Sequence, residues 1–218
     1  MTPRHGEEHH VKCWNCQAET EGRPFCPSCG KITQRSADAT HFDVFGLPRR
    51  HQVDPAALEK QFRDLSLKLH PDRFVQADPK ERRLSLEHTT ALNNALKTLK
   101  DPARRAFYLL KLHGVDLDRE DAGAQKDMPL EFLEEVMELR EELSEARAAK
   151  DVAKARKMAD AVTKRREAAL TVALESLGKL EAGPDDAALK NASHELARVR
   201  YFTRFLEEVD AIEEESLG

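Results

Sequence analysis

Between residues 55 and 69 the apolar positions fall at Leu58, Phe62, Leu65 and Leu69, spaced four, three and four. That spacing is one face of a helix. Asp54-Pro55 supplies its start, an acid at the N-cap and proline in the first turn. Pro71 disfavours helical geometry at His70, so the helix ends there. Lys60, Arg63 and Lys68 lie elsewhere on the wheel and make a basic outer surface. A second helix is predicted from about Pro79 to Leu99, with Leu84, Ala91, Leu92, Ala95, Leu96 and Leu99 as its apolar stripe. It can pack antiparallel to the first across a loop at 70–78. A short helix in HFDVFGL precedes the pair and stops at Gly46 and Pro48. Asp101-Pro102 opens a further helix through AFYLLKLH to Gly114.

From residue 128 onward the same three-and-four spacing marks three long helices. Leu130, Leu133, Val136, Met137 and Leu143 mark the first, and Val152, Ala155, Ala159, Val162, Ala169 and Val172 the second. Leu189, Ala192, Leu196, Val199, Phe202, Leu206 and Val209 mark the third, with Gly183-Pro184 breaking the chain before it. Such segments suit an antiparallel three-helix bundle. Residues 1–40 show no period, and 31–40 within them reads as a linker, as does 115–127. The organisation expected is therefore 1–40, 41–114, a linker at 115–127, and 128–218.

Composition supports an all-α chain. Of 218 residues, 34% are charged and only 6% aromatic, usage that favours helices over a sheet-rich enzyme. No apolar run reaches the roughly 18 residues that span a membrane. MTPRHGEEHH has the character of neither a signal nor a transit peptide, so a cytoplasmic location is expected. The net charge of −5 is unevenly spread: 14 Lys+Arg against 9 Asp+Glu over 41–114, but 16 against 26 over 115–218. The two parts therefore suit different partners. The basic excess is modest for a nucleic-acid binder and lacks interleaved aromatics.

Cys13-Trp14-Asn15-Cys16 and Cys26-Pro27-Ser28-Cys29 are two C-x-x-C hooks separated by nine residues. Two hooks can bring four thiolates around one tetrahedral ion, which suits one structural zinc per chain. Metal binding would supply folding energy that so short a segment lacks. Redox dithiols and disulfides are the alternatives; a reducing compartment disfavours disulfides, and no strand–helix unit surrounds the hooks as in redox motifs. Thiolates also suit iron–sulfur clusters. His5, His9 and His10 read as a solvated tail, and Trp14 as packing beside the metal.

LKLHPDRF, residues 67–74, ends the basic helix. Pro71 stiffens the corner, Asp72 offers a carboxylate, and His70 sits at a helix carboxyl end. The corner suits docking onto an acidic partner, with Asp72 placed to capture an arginine. Catalysis is disfavoured: no nucleophile motif or phosphate loop accompanies it. Standing alone, the tripeptide would be an ordinary helix-ending turn.

It does not stand alone. KLHPDRF, the helix with Asn93-Asn94, and DPARRAFYLLKLHG together resemble a J domain. PLEFLEEVMELREEL and ARVRYFTRF extend the likeness, over about residues 41–214, to the iron–sulfur co-chaperone family of the HscB type. The form with the CWNC and CPSC pair is similar to eukaryotic and some bacterial members. The resemblance implies a non-enzyme that stimulates the ATPase of a seventy-kilodalton heat-shock-class chaperone (HscA or DnaK type) and brings it an IscU-type scaffold. His70, Pro71 and Asp72, with Arg63, Lys68 and Arg73, would face the chaperone. Leu133, Met137, Glu138 and Glu141, with Arg200, Tyr201 and Phe202, would face the scaffold. Glu134 stands where some members have an apolar contact. For Met137, helical spacing leaves bundle packing equally open. A general J protein with another client is the alternative.

Overall fold

The computed structural model describes residues 11–117 and 128–217. Among these the chain is helical: α1 (His41–Val44), α2 (Pro55–Leu69), α3 (Pro79–Lys100), α4 (Pro102–Leu112), α5 (Leu130–Ala148), α6 (Val152–Lys179) and α7 (Asp186–Leu217). A single-turn 3-10 helix, Pro71–Phe74, lies between α2 and α3. The expected all-α fold is present, and none of the helices is long and apolar enough to cross a membrane. The chain divides into two compact units, residues 1–105 and 106–218, and the division falls within α4.

One local signal opens three helices. Asp54 accepts amide hydrogen bonds from Ala56 at 2.9 Å and Ala57 at 3.3 Å, Asp78 from Lys80 at 2.7 Å, and Asp101 from Arg104 at 2.9 Å. Each aspartate is followed by a proline, whose missing N–H is one that a helix start leaves unpaired anyway. Thr40 and Asp43 form a capping box on α1. Gly46 (φ 61°) and Gly114 (φ 89°) turn the chain out of α1 and α4 in the left-handed conformation that glycine adopts without Cβ strain.

In the first unit α3 packs against α1 and α2. Phe42, Phe45, Leu58, Leu69, Leu84, Leu92 and Leu99 are buried. Arg105 is buried too, donating through Nε to the His51 carbonyl at 2.8 Å and through Nη1 to the Leu99 carbonyl. It thus ties the loop before α2 to the end of α3. The stretch 31–40 is not a free linker: Ile32, Thr33 and Thr40 are buried. The tail 1–10 with its three histidines, and 118–127 of the expected linker, lie outside the described residues.

In the second unit α6 and α7 form the tightest pair, and α5 is added to them. The core comprises Phe132, Leu143, Ala155, Met158, Val162, Phe202, Phe205, Val209 and Ile212. Here the stripe read for α5 needs correcting. The inward residues are Phe132, Leu143 and Ala146, with Val136 and Leu139 partly buried, while Leu130, Leu133 and Met137 are exposed. The helix carries two apolar stripes, and among the described residues the one with Phe132 and Leu143 is packed against the bundle core.

Candidate functional site

The end of α2 builds a projecting corner. His70 leaves the helix at φ −57°, ψ 131°, the extended geometry that a following proline demands. The turn then folds on itself: the Arg73 amide donates to the His70 carbonyl at 3.0 Å, and the Asp72 amide to His70 Nδ1 at 3.3 Å. The Asp72 carboxylate, 86% exposed, has the His70 ring 3.5 Å away as an in-chain neighbour. Lys60, Arg63 and Lys68 along α2 and Arg73 in the turn are all exposed. Arg63 lies 3.9 Å from Glu59, a solvated pair worth little.

One residue on this face was not singled out from the sequence. Leu67 is 71% exposed and lies three to four positions from Arg63 and Asp64, so it shares their face. It is out of phase with Leu58, Leu65 and Leu69. An apolar side chain opposite the core stripe was the signal available.

A second exposed face runs along α5. Leu130, Leu133, Glu134, Met137, Glu138 and Glu141 recur at intervals of three, one, three, one and three, and all are exposed, Met137 by 72% and Leu133 by 44%. Leu133, Met137, Glu138 and Glu141 therefore come together on one apolar, acid-rimmed strip, and Met137 is not a packing residue. Glu134 interrupts it.

The α7 candidates are used differently. Phe202 is 0% exposed and sits in the bundle core, so its assignment to a docking face is corrected. Its ring meets Phe132 edge-on, with centroids 6.0 Å apart. Tyr201 is half-buried, donates its hydroxyl proton to the Val136 carbonyl at 3.1 Å and stands edge-on to Phe132 at 5.9 Å. Burial pushes its phenol above the ordinary tyrosine range, against the lowering effect of Arg140. Arg200 donates to the Leu117 carbonyl. Tyr201 and Phe202 thus seat α5 on α7 from behind the exposed strip. Glu135 adds ion pairs to Arg165 at 2.7 Å and Arg198 at 3.6 Å. Phe202→Ala is expected to lower bundle stability by about 3–5 kcal/mol, the usual range for emptying a buried phenylalanine site; urea unfolding of the full chain measures it.

The four cysteines converge. Their Sγ atoms all lie within 4.8 Å of one another, with Cys13–Cys29 and Cys16–Cys26 both at 3.6 Å. Sulfurs about 2.3 Å from a tetrahedral ion stand about 3.8 Å apart, so the donor set fits a metal ion. The two hooks are built alike. Gln17 and Gly30 donate to the carbonyls of Cys13 and Cys26 at 2.9 and 3.0 Å, and both residues have positive φ, 64° and 71°. The thiols release protons unequally. The Ala18 amide lowers Cys16, but burial and the thiols of Cys26, Cys29 and Cys13 outweigh it, and Cys16 is pushed up to about 11. The Lys31 amide, with Asn15 and two thiols, draws Cys29 down to about 6 against burial.

This module lies against α3. Lys31 Nζ reaches Glu81 at 2.7 Å, and His88 Nε2 stands 2.7 Å from the Thr33 carbonyl. A carbonyl only accepts, so Nε2 carries the proton. Burial holds His88 below the ordinary histidine range, which the Thr33 bond opposes and the charge of Arg35 reinforces.

Residues 128–210 match the family model described as HSCB C-terminal oligomerisation domain, and residues 40–108 match the DnaJ domain. The chain is 32% identical over 206 residues to the iron-sulfur cluster co-chaperone protein HscB of Homo sapiens, spanning 92% of this chain and 82% of that one. It is 44% identical over 117 residues to the co-chaperone protein HscB homolog of Ralstonia nicotianae, a match over 54% of this chain and 65% of the relative. The crystal structure of human co-chaperone protein HscB superposes with a TM-score of 0.77 at 28% identity, covering 93% of this chain and 98% of that one.

Proposed function

The chain belongs to the HscB family, J-domain co-chaperones of iron–sulfur cluster assembly, and from that premise we propose that it is a two-sided adaptor with no catalytic site of its own. Its corner and basic α2 face stimulate the ATPase of a seventy-kilodalton heat-shock-class chaperone. Its α5 strip carries an IscU-type scaffold to that chaperone.

The observation that carries this reading is the exposed acid at Asp72 beside exposed cations and Leu67. An arginine on the partner can pair with the carboxylate, the cations can steer an acidic surface into register, and Leu67 offers apolar area that the α2 core face does not use. On α5, Leu133 and Met137 are apolar anchors, with the acids as a rim; methionine adapts to irregular pockets. One chain holding both partners raises the concentration of each at the other. Zinc at the four thiolates supplies folding energy to the cysteine module and no reaction chemistry.

The test is chaperone ATPase turnover with this chain, with and without scaffold. Stimulation is expected from the chain alone and a larger one with scaffold. A Leu133→Asp, Met137→Asp double variant is expected to weaken scaffold binding about 10- to 100-fold, the loss of two interface anchors at about 1.4–2.7 kcal/mol in all, while scaffold-independent stimulation stays. No stimulation by wild type under either condition overturns the reading.

A further inference from the structure

Both flanks of the His70-Pro71-Asp72 corner enter one apolar cluster with the cysteine module. Ile32, three residues beyond Cys29, is 0% exposed and forms one apolar cluster with Leu69 and Leu84, against which Trp14, Phe25, Leu65 and Phe74 pack. Leu69 immediately precedes the corner, and Phe74 follows Asp72 by two residues. The cluster is closed from the module's side by Trp14, whose Nε1 donates to the Ile32 carbonyl at 2.8 Å while Lys80 of α3 stands 4.8 Å over its ring. The Leu69 carbonyl is held from α3 by the hydroxyls of Ser85 at 2.6 Å and Thr89 at 3.2 Å.

The turn itself has little to fix it. It is four residues long, no residue in it is buried, and the bonds that hold it are local: Arg73 amide to His70 carbonyl, Asp72 amide to His70 Nδ1, and Ala77 amide to Phe74 carbonyl at 2.9 Å. A short exposed turn is ordered by what anchors its ends. Here both anchors belong to one cluster, whose buried member from outside the α2–α3 pair is Ile32.

We infer that Ile32 is a positioning residue for the corner. The cysteine module, folded around its metal, wedges Ile32 beneath Leu69 and Phe74 and so pre-orders the backbone that presents Asp72. Removing the wedge, or the metal that folds the module, leaves Asp72 present but its turn mobile, and the ordering cost is then met at docking. The consequence for stimulation rests on the chaperone reading above; the structural coupling does not.

The experiment uses the full chain as wild type, Ile32→Ala, Ile32→Val and chelator-stripped wild type. Amide hydrogen exchange at Arg73 and Ala77 is the first readout. It is expected to accelerate at least about ten-fold in Ile32→Ala and in the stripped protein, and to stay near wild type in Ile32→Val. The second readout is chaperone ATPase against co-chaperone concentration. The half-maximal concentration is expected to rise about five- to ten-fold in Ile32→Ala with the maximal rate unchanged, since the docked corner is the same. Should Ile32→Ala lose helicity, Trp14→Phe takes its place: it keeps a ring but removes the bond to the Ile32 carbonyl, with exchange expected to quicken about two- to three-fold. Unchanged exchange at Arg73 and Ala77 in the variant and the stripped protein overturns the inference whatever the ATPase does. So does a fall in the maximal rate at unchanged half-maximal concentration. Failure of wild type to stimulate sinks the chaperone reading instead, and the exchange data still decide the coupling.

Discussion

Asp72→Asn is expected to reduce chaperone ATPase stimulation to background while leaving the far-ultraviolet circular dichroism unchanged. The folding half follows from exposure: the carboxylate is 86% exposed, and its nearest ion-pair neighbour is the exposed His70 ring. Asparagine keeps its size and leaves the Asp72 amide free to bond His70 Nδ1. The functional half follows from charge. Asparagine offers an arginine one neutral acceptor where the carboxylate offers two charged ones. Breaking one partner of a docked charge pair costs about 2–5 kcal/mol, or at least roughly thirty-fold in affinity. Full stimulation by the variant would show that the carboxylate is not the docking charge. Arg73→Lys is a useful companion, because it keeps the cation but gives up the planar fork.

Cys26→Ser should abolish metal binding and unfold the segment around it. Cys26 is buried, and its Sγ is 3.6 Å from that of Cys16, so a serine removes one ligand from a closed set of four. Structural zinc in comparable small modules binds with about 10–16 kcal/mol, which is their folding energy. Elemental analysis is expected to fall from one zinc per chain to none, with the same result for Cys13→Ser. The emission of Trp14, the single tryptophan, is expected to shift to the red as its bond to the Ile32 carbonyl is lost. The helices are expected to persist, since their core of Phe42, Leu58, Leu92 and Leu99 is independent of the thiols. Iron and sulfide in an anaerobically purified sample would contradict the zinc assignment.

Much of this was readable from residue order because the signals were local. The Asp-Pro pairs at Asp54 and Asp101 marked two helix starts, and paired C-x-x-C hooks marked a four-sulfur site. What was not readable came from packing. Helical spacing on α5 supports both the set with Phe132 and Leu143 and the set with Leu133 and Met137, and only the position of α7 decides which turns inward. The family resemblance put Phe202 on a docking face, although the spacing along α7 had it in the apolar stripe and its ring is flanked by Phe132 and Tyr201. Ile32 was passed over as linker because a lone apolar residue in a polar stretch has no period to announce it. Nothing in residue order marks Arg105 as buried, since burial of an arginine depends here on two backbone carbonyls supplied from elsewhere in the fold.

The matching turns of the two hooks differ in one respect: Gly30 takes the left-handed conformation freely, whereas Gln17 holds it with a side chain. For a residue with a Cβ that conformation costs about 1–2 kcal/mol, more than the roughly 0.5–1 kcal/mol of extra chain entropy a glycine would lose there. Because capture of the ion and folding of the segment are one equilibrium, this cost is subtracted from the apparent ion affinity. A residue outside the ligand set thereby helps set the free metal level at which the segment would load, and a glycine in its place would let the segment fill from a scarcer supply.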